Sequence, residues 1–225
     1  MISEAVTRRW RDDKRGLTAD GGPSMSTTFI YALPVELTEW RFDGRTETCF
    51  TWEYDDARAA LIALYDKGKR QQWNAADRID WSLDLDYENP MGIDDGAVPI
   101  YGSDIWNRLT DKEKVQVRRH SQAFTLSQFM HGEQGALIAT AKIVQAVPTL
   151  DAKFYAATQT IDEARHVEAY KRLLQEKLGL AYPINSALKA LLENGLGGHG
   201  RLHQHPHLPA AEGKNLPIAC LLFQA

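Results

Sequence analysis

Two glutamates and a histidine are the residues of this sequence whose types and spacing favour metal chemistry. Glu133 stands fifteen residues before Pro148, and Glu163 stands fifteen residues after it. If Pro148 marks the turn between two antiparallel helices, a rise of about 1.5 Å per residue places both carboxylates about 22 Å from that turn. His166 follows Glu163 by three residues and so shares its helix face. We therefore expect the three side chains to converge as half of a carboxylate-bridged two-metal site.

The residues around this motif decide between a metal site and ordinary packing. A single Glu-x-x-His is weak evidence, because a surface glutamate and a packed histidine give the same pattern. A buried carboxylate, however, needs a partner, and Glu133 falls in an apolar row of its helix. Asp162 and Arg165 flank the motif, at positions where groups that orient metal ligands are expected. A metal-bound histidine normally donates its second N–H to a carboxylate, and Asp162 could accept it from a histidine on an opposing helix. Tyr170, one turn beyond His166, is either a phenol beside the metal or part of the core.

Carboxylates combined with imidazole suit iron or manganese better than thiophilic ions. Two irons bridged by glutamate can bind O2 between them and share the electrons that reduce it, while the protein supplies geometry and a dry cavity. The ligand types therefore predict an iron cofactor, with manganese as the alternative metal.

Periodicity and capping signals predict the helices that must position these side chains. Thr110 and Glu113 form a capping box at the start of an unusually long helix, whose inner row contains Phe124, Met130, Leu137, Ala141 and Val144. Thr149 is expected to cap the next helix, which stops at Gly179. Four helices are predicted in all, at 55–73 with Asp55 or Asp56 as its N-cap, 110–147, 149–178 and 186–194. The fold class is thus all-α, a bundle with a long antiparallel hairpin and flanking helices, incomplete in one chain.

The organisation of the chain divides into three parts. Residues 1–54 lack a sustained period and are expected to form an extended N-terminal arm, whereas residues 55–194 form the helical domain. Within that domain, a turn-rich connector runs from residue 74 to 102; Trp73 just before it and Trp81 within it are interpreted as aromatic plugs over the bundle end. Residues 195–225 are rich in glycine, proline and histidine, and we expect a flexible tail, with His203, His205 and His207 as an alternative metal-binding tract.

Composition excludes several classes of function. A net charge of −4 and a pI near 6.0 give no basic surface for nucleic acid, so no nucleic-acid partner is expected. The two cysteines, Cys49 and Cys220, form neither a disulfide framework nor a zinc-thiolate site. No segment has the apolar length of a signal peptide or a membrane span. A cytoplasmic location without membrane association is the expectation.

The motif Asp162-Glu163-Ala164-Arg165-His166, together with Glu133, resembles the ferritin-like carboxylate-bridged di-iron superfamily. That superfamily includes the small subunits of class I ribonucleotide reductase, bacterial multicomponent monooxygenases and the aminobenzoate N-oxygenases. The resemblance covers residues 104–178, and the segment from Gln72-Trp73-Asn74-Ala75 to Asp80-Trp81 is similar to the lead-in of ferritin-like oxygenase homologues. It implies that Glu133 is a terminal carboxylate, Glu163 a bridging carboxylate and His166 the imidazole ligand of one iron.

The chain departs from the superfamily pattern after the second long helix. Family members continue with a second helix pair that bears another Glu and another Glu-x-x-His, whereas this chain enters its Gly/His/Pro tail. Three explanations stay open: a truncated or frame-shifted oxygenase, a site completed by two copies about a two-fold axis, or a lost metal site. Two-helix encapsulated ferritins complete their sites at a dimer interface. In this protein such an interface would pair Asp162 of one chain with His166 of the other.

The expected function is that of an O2-dependent di-iron oxidoreductase or monooxygenase that acts on a small molecule. Its activity would require a homodimer or additional helices, and an electron-donor protein is a further expected partner. The alternative is an iron-binding or iron-storage protein, or a non-catalytic structural remnant of a di-iron oxygenase. O2 consumption distinguishes these functions: an oxygenase consumes O2, whereas an iron-storage protein retains the metal without consuming it.

Overall fold

The computed structural model describes residues 39–55 and 58–197. These residues contain α-helices, short helical turns and no β-strand, which confirms the predicted all-α class. In chain order the α-helices are α1 (Ala59–Arg70), α2 (Ala75–Arg78), α3 (Asp104–Arg108), α4 (Asp111–Ala146), α5 (Leu150–Arg172) and α6 (Ser186–Leu196). The antiparallel hairpin of α4 and α5 is the centre of the structure, with α1 packed on α5 and α6 packed on α4.

Helix α4 has the boundaries that its sequence signals predict. The Thr110 hydroxyl accepts a hydrogen bond from the Glu113 backbone N–H, and the Glu113 carboxylate accepts one from the Thr110 N–H at 2.8 Å. The capping box is therefore confirmed. The helix ends at Ala146 with Val147 in an extended conformation, as expected for a residue that precedes proline.

Helix α5 runs antiparallel to α4 and closes with a wider, π-helical segment, Leu173–Leu178. Gly179 follows with φ of 64°, so the predicted stop is confirmed as a left-handed C-terminal cap. The predicted role of Thr149 is wrong in one respect. Thr149 occupies the N-cap position, but its hydroxyl makes no capping hydrogen bond and is buried without a partner.

Helix α1 packs against α5 through a close contact. The rings of Tyr65 and Phe154 stack with centroids 5.1 Å apart, and a Cβ added at Gly68 would lie 3.1 Å from Cβ of Thr158. The prediction that this helix begins at Asp55 or Asp56 is wrong, since it begins at Ala59 after Arg58. The helix start is held instead by Asp151 of α5, which accepts a hydrogen bond of 2.7 Å from the Arg58 backbone N–H. It ends at Arg70, three residues before Trp73.

The main apolar cluster lies at the end of the hairpin that is distant from Pro148. Its buried residues come from both long helices and from the segment after Gly179: Ala123, Leu126, Met130, Leu174, Leu178, Leu180 and Ala181. Ser127 in α4 accepts a hydrogen bond from the Tyr182 N–H, which holds that segment in place. Two residues of the predicted inner row, Phe124 and Ala141, are exposed, because the helix turns them away from α5.

The remaining described segments run along the edges of the hairpin. Residues 39–55 contain no helix, and the Cys49 N–H donates to the Gln145 carbonyl near the end of α4. The histidines at 203, 205 and 207 and Cys220 lie outside the described residues. None of the helices in the described part of the chain combines the length and the apolar composition needed to cross a bilayer.

Candidate metal centre

Helices α4 and α5 bring Glu133, Glu163 and His166 together at one level of the hairpin. Nδ1 of His166 lies 3.2 Å from Oε2 of Glu133 and 3.2 Å from Oε2 of Glu163. One ligand atom from each residue lies within 4.8 Å of the others. The convergence predicted from equal distances to Pro148 is therefore confirmed, and Glu163 and His166 share a helix face because they are one turn apart.

The three side chains differ in their access to water. The side chains of Glu133 and Glu163 are only 3% and 13% exposed, whereas that of His166 is 42% exposed. The cluster therefore has a closed side formed by the carboxylates and an open side at the imidazole. A buried carboxylate without compensation is costly, so Glu133 requires the cation that faces it.

Burial and mutual contact shift the protonation of all three groups. The two glutamates hydrogen-bond to His166 and raise its pKa to about 10. Burial raises the pKa of Glu133 above its ordinary value. Burial acts in the same direction on Glu163, but hydrogen bonds from His166 and Glu133 outweigh it, so the pKa of Glu163 is lowered. At neutral pH the metal-free cluster thus holds an imidazolium between two acidic groups.

The geometry and the donor types fit a metal ion. An ion bound about 2.1 Å from two ligands at roughly a right angle separates those ligands by about 3 Å. The distances from His166 to both carboxylates match that spacing. In the metal-free cluster the positive charge between the two carboxylates is that of the His166 imidazolium. A metal ion would replace the imidazolium proton and bring positive charge to the same place. Two carboxylates and one imidazole form a ligand set suited to iron.

The residues that flank the motif form a hydrogen-bonded chain beside the cluster. Arg165 donates to Oδ1 of Asp162 at 2.7 Å through one guanidinium nitrogen and to the side-chain oxygen of Gln72 through another. Asp162 was expected to orient a histidine on an opposing helix, but in the described part of the chain it pairs with Arg165. These hydrogen bonds link α5 to the segment after α1 and thereby hold Gln72 and Trp73 near the cluster.

Trp73 lies against the open side of the cluster. Its ring centroid is 6.0 Å from that of His166. The interpretation of Trp73 as a plug over the bundle end is wrong, because it stands at the height of His166 in the middle of the hairpin. Trp81 contributes differently, since it donates a 2.7 Å hydrogen bond to the Ala75 carbonyl and stacks beneath the Arg172 guanidinium.

Tyr170 lies one turn beyond His166 and contacts Phe129 of α4, with ring centroids 6.1 Å apart. Burial and the charge of Glu133 raise the pKa of Tyr170, so its phenol stays protonated at neutral pH. Tyr170 also packs against the apolar cluster, so its packing role is evident.

A cleft of about 600 Å³ opens beside this site, between α1, α2 and α5. Trp73 and Asp162 line it, so the cleft borders the cluster on the side of His166. The rest of its wall is mostly polar: Leu64, Lys67, Gly68, Gln71, Gln72, Arg78, Tyr155 and Gln159. Sequence periodicity did not identify this wall, because Gln71, Gln72 and Trp73 follow the end of α1, where the helical period stops. The lead-in segment that contains Gln72 and Trp73 is the sequence signal that could have located it.

Comparison with known proteins identifies one family. A family model described as P-aminobenzoate N-oxygenase AurF matches residues 55–191, which is more than half of the chain. The match includes α1, the connector, both long helices and most of α6, and therefore all three residues of the cluster. No curated protein and no solved structure matches the chain significantly.

Proposed function

We propose that this chain, which belongs to the P-aminobenzoate N-oxygenase AurF family, binds iron through Glu133, Glu163 and His166 and takes part in an O2-dependent oxidation. The family is a ferritin-like di-iron oxygenase family, so the resemblance seen in the sequence is confirmed at that level. The family also implies a di-iron centre and the use of O2 with an organic substrate. The particular residues and the reaction of this chain are our proposal.

The observation that supports the ligand assignment most directly is the convergence of the three side chains on one point between α4 and α5. Glu133 is buried in a position where only a cation compensates its charge, and His166 presents the nitrogen Nδ1 to both carboxylates. A bound di-iron centre supplies the electrons that reduce O2. In our proposal Glu163 would hold the metal as the bridging carboxylate and Glu133 as the terminal one.

The surrounding residues would border this centre. Trp73 lies beside His166, and the hydrogen bonds from Arg165 to Asp162 and Gln72 hold the segment that carries Trp73 against α5. Tyr170 and Phe129 contact each other in the adjacent part of the hairpin. An organic molecule in the neighbouring cleft would lie next to the imidazole side of the site. Because the family description names an arylamine substrate, small aromatic amines are the first compounds to test.

Three carboxylate and imidazole ligands are half of the set that di-iron helical bundles use, which is four carboxylates and two histidines. The other half would come from a second copy of the chain in a homodimer or from further helices of a longer polypeptide. An electron-donor protein is the remaining partner that the reaction would need. Iron is the metal that the family implies, and manganese is the alternative that metal analysis would detect.

The first experiment measures iron per chain in untagged protein loaded with ferrous iron without oxygen. Glu163→Ala should abolish stoichiometric iron while the helical content by circular dichroism stays close to that of the wild type, because the residue contributes a ligand rather than a packing contact. Glu168→Ala, an exposed glutamate of the same helix, is the matched control and should bind iron as the wild type does. The tail histidines at 203, 205 and 207 are replaced by alanine in every protein, so that they contribute no metal.

The outcomes separate the proposed function from its alternative. Iron that is lost in Glu163→Ala, together with O2 consumption that depends on an aromatic amine, supports the oxygenase. Iron that is retained without O2 consumption supports an iron-handling protein. Unchanged iron in Glu163→Ala refutes the ligand assignment, and a wild-type chain that binds no iron would be a non-catalytic remnant.

A further inference from the structure

The cleft between α1, α2 and α5 follows one row of residues on α5. Tyr155, Gln159 and Asp162 line it on successive turns of the helix, and His166 is the next position of the same row. At the helical rise per residue, this row covers about 10 Å from Tyr155 to Asp162 and about 16 Å from Tyr155 to His166. The cleft is therefore elongated and leads to the imidazole side of the candidate metal centre.

Helix α1 forms the opposite wall of the cleft and runs in the same direction as α5. Gly68 packs against Thr158, where an added Cβ would lie 3.1 Å away. Further along both segments, Trp73 lies beside His166. Lys67 precedes Gly68 and so stands near the level of Thr158, eight residues and about 12 Å along α5 from His166. Because helical side chains point back toward the N-terminus of their helix, Lys67 is directed away from the Trp73 end.

Lys67 and Arg78 bring two positive charges to the wall of this cleft. Both side chains are exposed, and neither has a carboxylate partner among the residues that the structure describes. Asp162 also lines the cleft, but it is paired with Arg165 at 2.7 Å. The cleft thus carries uncompensated positive charge, whereas the chain as a whole has a net charge of −4. Its charge is complementary to an anion.

The remaining wall suits the organic part of a ligand. Leu64 and Trp73 contribute apolar and aromatic surface, and the side-chain amides of Gln71 and Gln159 can donate hydrogen bonds. The volume of about 600 Å³ falls within the range of small-molecule sites, which is roughly 300–1,000 Å³. An inorganic anion bound at the two cations would leave most of this volume and the aromatic end without a ligand group.

We propose that the cleft binds an organic acid, whose acidic group is held by Lys67 with the help of Arg78 and whose other end lies beside Trp73 and His166. This inference rests on the proposed function, because it treats the bound acid as the substrate. A molecule that reaches from Lys67 to His166 is longer than a single benzene ring with a group at each end. Its acidic group is a carboxylate or a phosphate, since both accept charge-assisted hydrogen bonds from lysine and arginine.

Calorimetric titration of the full metal-free chain tests this site with two probes of the same shape. Biphenyl-4-carboxylate carries the acidic group, and biphenyl-4-carboxamide is its neutral counterpart. The carboxylate should bind at least about tenfold more tightly at low ionic strength, because its hydrogen bonds are charge-assisted. Added salt should reduce this difference, because the two cations are exposed to solvent. Biphenyl-4-yl phosphate is the third probe, and the tighter of the two anions identifies the acidic group.

Substitutions at the two cations test the position of the acidic group. Lys67→Gln and Arg78→Gln should each weaken the carboxylate about threefold, and the double variant should bind the carboxylate and the carboxamide equally. Lys67→Arg keeps the charge and should keep most of the affinity. Lys69→Gln is the matched control, since Lys69 is an exposed lysine of the same helix that is paired with Asp66 at 2.7 Å, and it should bind as the wild type does. Circular dichroism should be unchanged in every variant because the substituted positions are exposed.

The length of the ligand is tested with iron-loaded protein. O2 consumption should have a lower KM with 4′-aminobiphenyl-4-carboxylate than with 4-aminobenzoate, and Lys67→Gln should raise the KM of the longer acid more than it lowers kcat. A lower KM with the shorter acid overturns the proposed placement of the acidic group at Lys67.

The outcomes separate this proposal from the proposed function. Equal affinity of the wild type for the carboxylate and the carboxamide overturns the acid site, and so does carboxylate binding that survives both substitutions. Neither result affects the iron ligands, which are measured by iron per chain. Carboxylate binding that depends on Lys67 and Arg78, in a chain that binds no iron, supports the acid site and overturns the proposed function.

Discussion

At the scale of single residues, a metal ion bound as we propose by Glu133, Glu163 and His166 would occupy the place where the metal-free cluster holds a proton. The imidazole of His166 stays protonated in the metal-free chain because two carboxylates face it. A metal requires the neutral imidazole, so its binding must release this proton. The same contacts that stabilise the metal-free hairpin are thus the contacts that a metal ion replaces.

This competition predicts a pH dependence of the stability of the metal-free protein. The pKa of His166 is raised to about 10 in the folded chain, from an ordinary value near 6.5. A raised pKa contributes stability that is fully present below the unfolded value and is lost as the pH rises through the folded one. The free energy of unfolding should therefore exceed that of His166→Gln most below pH 6.5, and the difference should shrink as the pH approaches 10. Urea titrations in the presence of a chelator measure it.

His131 provides the control for this titration. Burial lowers its pKa, and its ring nitrogen Nε2 donates to the Tyr182 carbonyl. The difference between the wild type and His131→Gln should therefore stay constant above pH 6.5 and decrease only in more acidic solution, where the buried ring must take up a proton. A difference for His166→Gln that is equally constant above pH 6.5 would mean that His166 is already neutral in the folded chain.

The convergence of the three proposed ligand residues could be predicted from the sequence because they lie on regular helices. Equal distances from Pro148 fix the height of Glu133 and Glu163, and a one-turn spacing places His166 beside them. The contact between Trp73 and His166 could not be predicted in the same way. Trp73 follows the end of α1, where no period relates a residue to a neighbour in space, so only a structure shows that it faces the imidazole.

At the scale of elements, the hairpin depends on how its two long helices begin and end. Helix α4 begins with a capping box formed by neighbouring residues, and its boundaries could be predicted to within a residue or two. Helix α1 begins four residues later than its own sequence suggests, and the residue before it, Arg58, is held by Asp151 of α5 rather than by a neighbour in sequence. Local signals therefore predict an element well when its cap is local, and less well when a distant residue holds its start.

Gly179 offers a test of how the second ligand helix ends. Its φ of 64° is a left-handed conformation, which costs an ordinary L-residue about 1–2 kcal/mol. Gly179→Ala should therefore lower the free energy of unfolding by about that amount, while iron per chain stays unchanged because the residue is far along the chain from His166. Asparagine tolerates this conformation better, so Gly179→Asn should lose less stability than Gly179→Ala. Equal losses for both variants, measured by denaturant titration, would contradict the left-handed cap.

At the scale of the whole molecule, the family match and the described helices suggest where the folded domain lies. The match ends at residue 191, within α6, and α6 itself ends at Leu196. Helix α6 is joined to α4 by the fit of Leu192 against Gly135 and by a hydrogen bond from Lys142 to the Leu196 carbonyl. We propose that the metal-binding domain spans residues 55–194, that residues 1–54 form an arm along it, and that residues 195–225 are a tail outside it.

Two shortened chains test this division. A chain that ends at Gly197 keeps α6 and all three proposed ligands, so its helical content, thermal midpoint and iron per chain should equal those of the full protein. A chain that ends at Asn185 lacks α6, which leaves Gly135 and the adjoining side of α4 without cover, and its thermal midpoint should fall. Both are measured by circular dichroism and elemental analysis. Loss of iron from the chain that ends at Gly197 would mean that the tail supplies metal ligands, with His203, His205 and His207 the first candidates. The metal centre would then belong to the tail as much as to the hairpin.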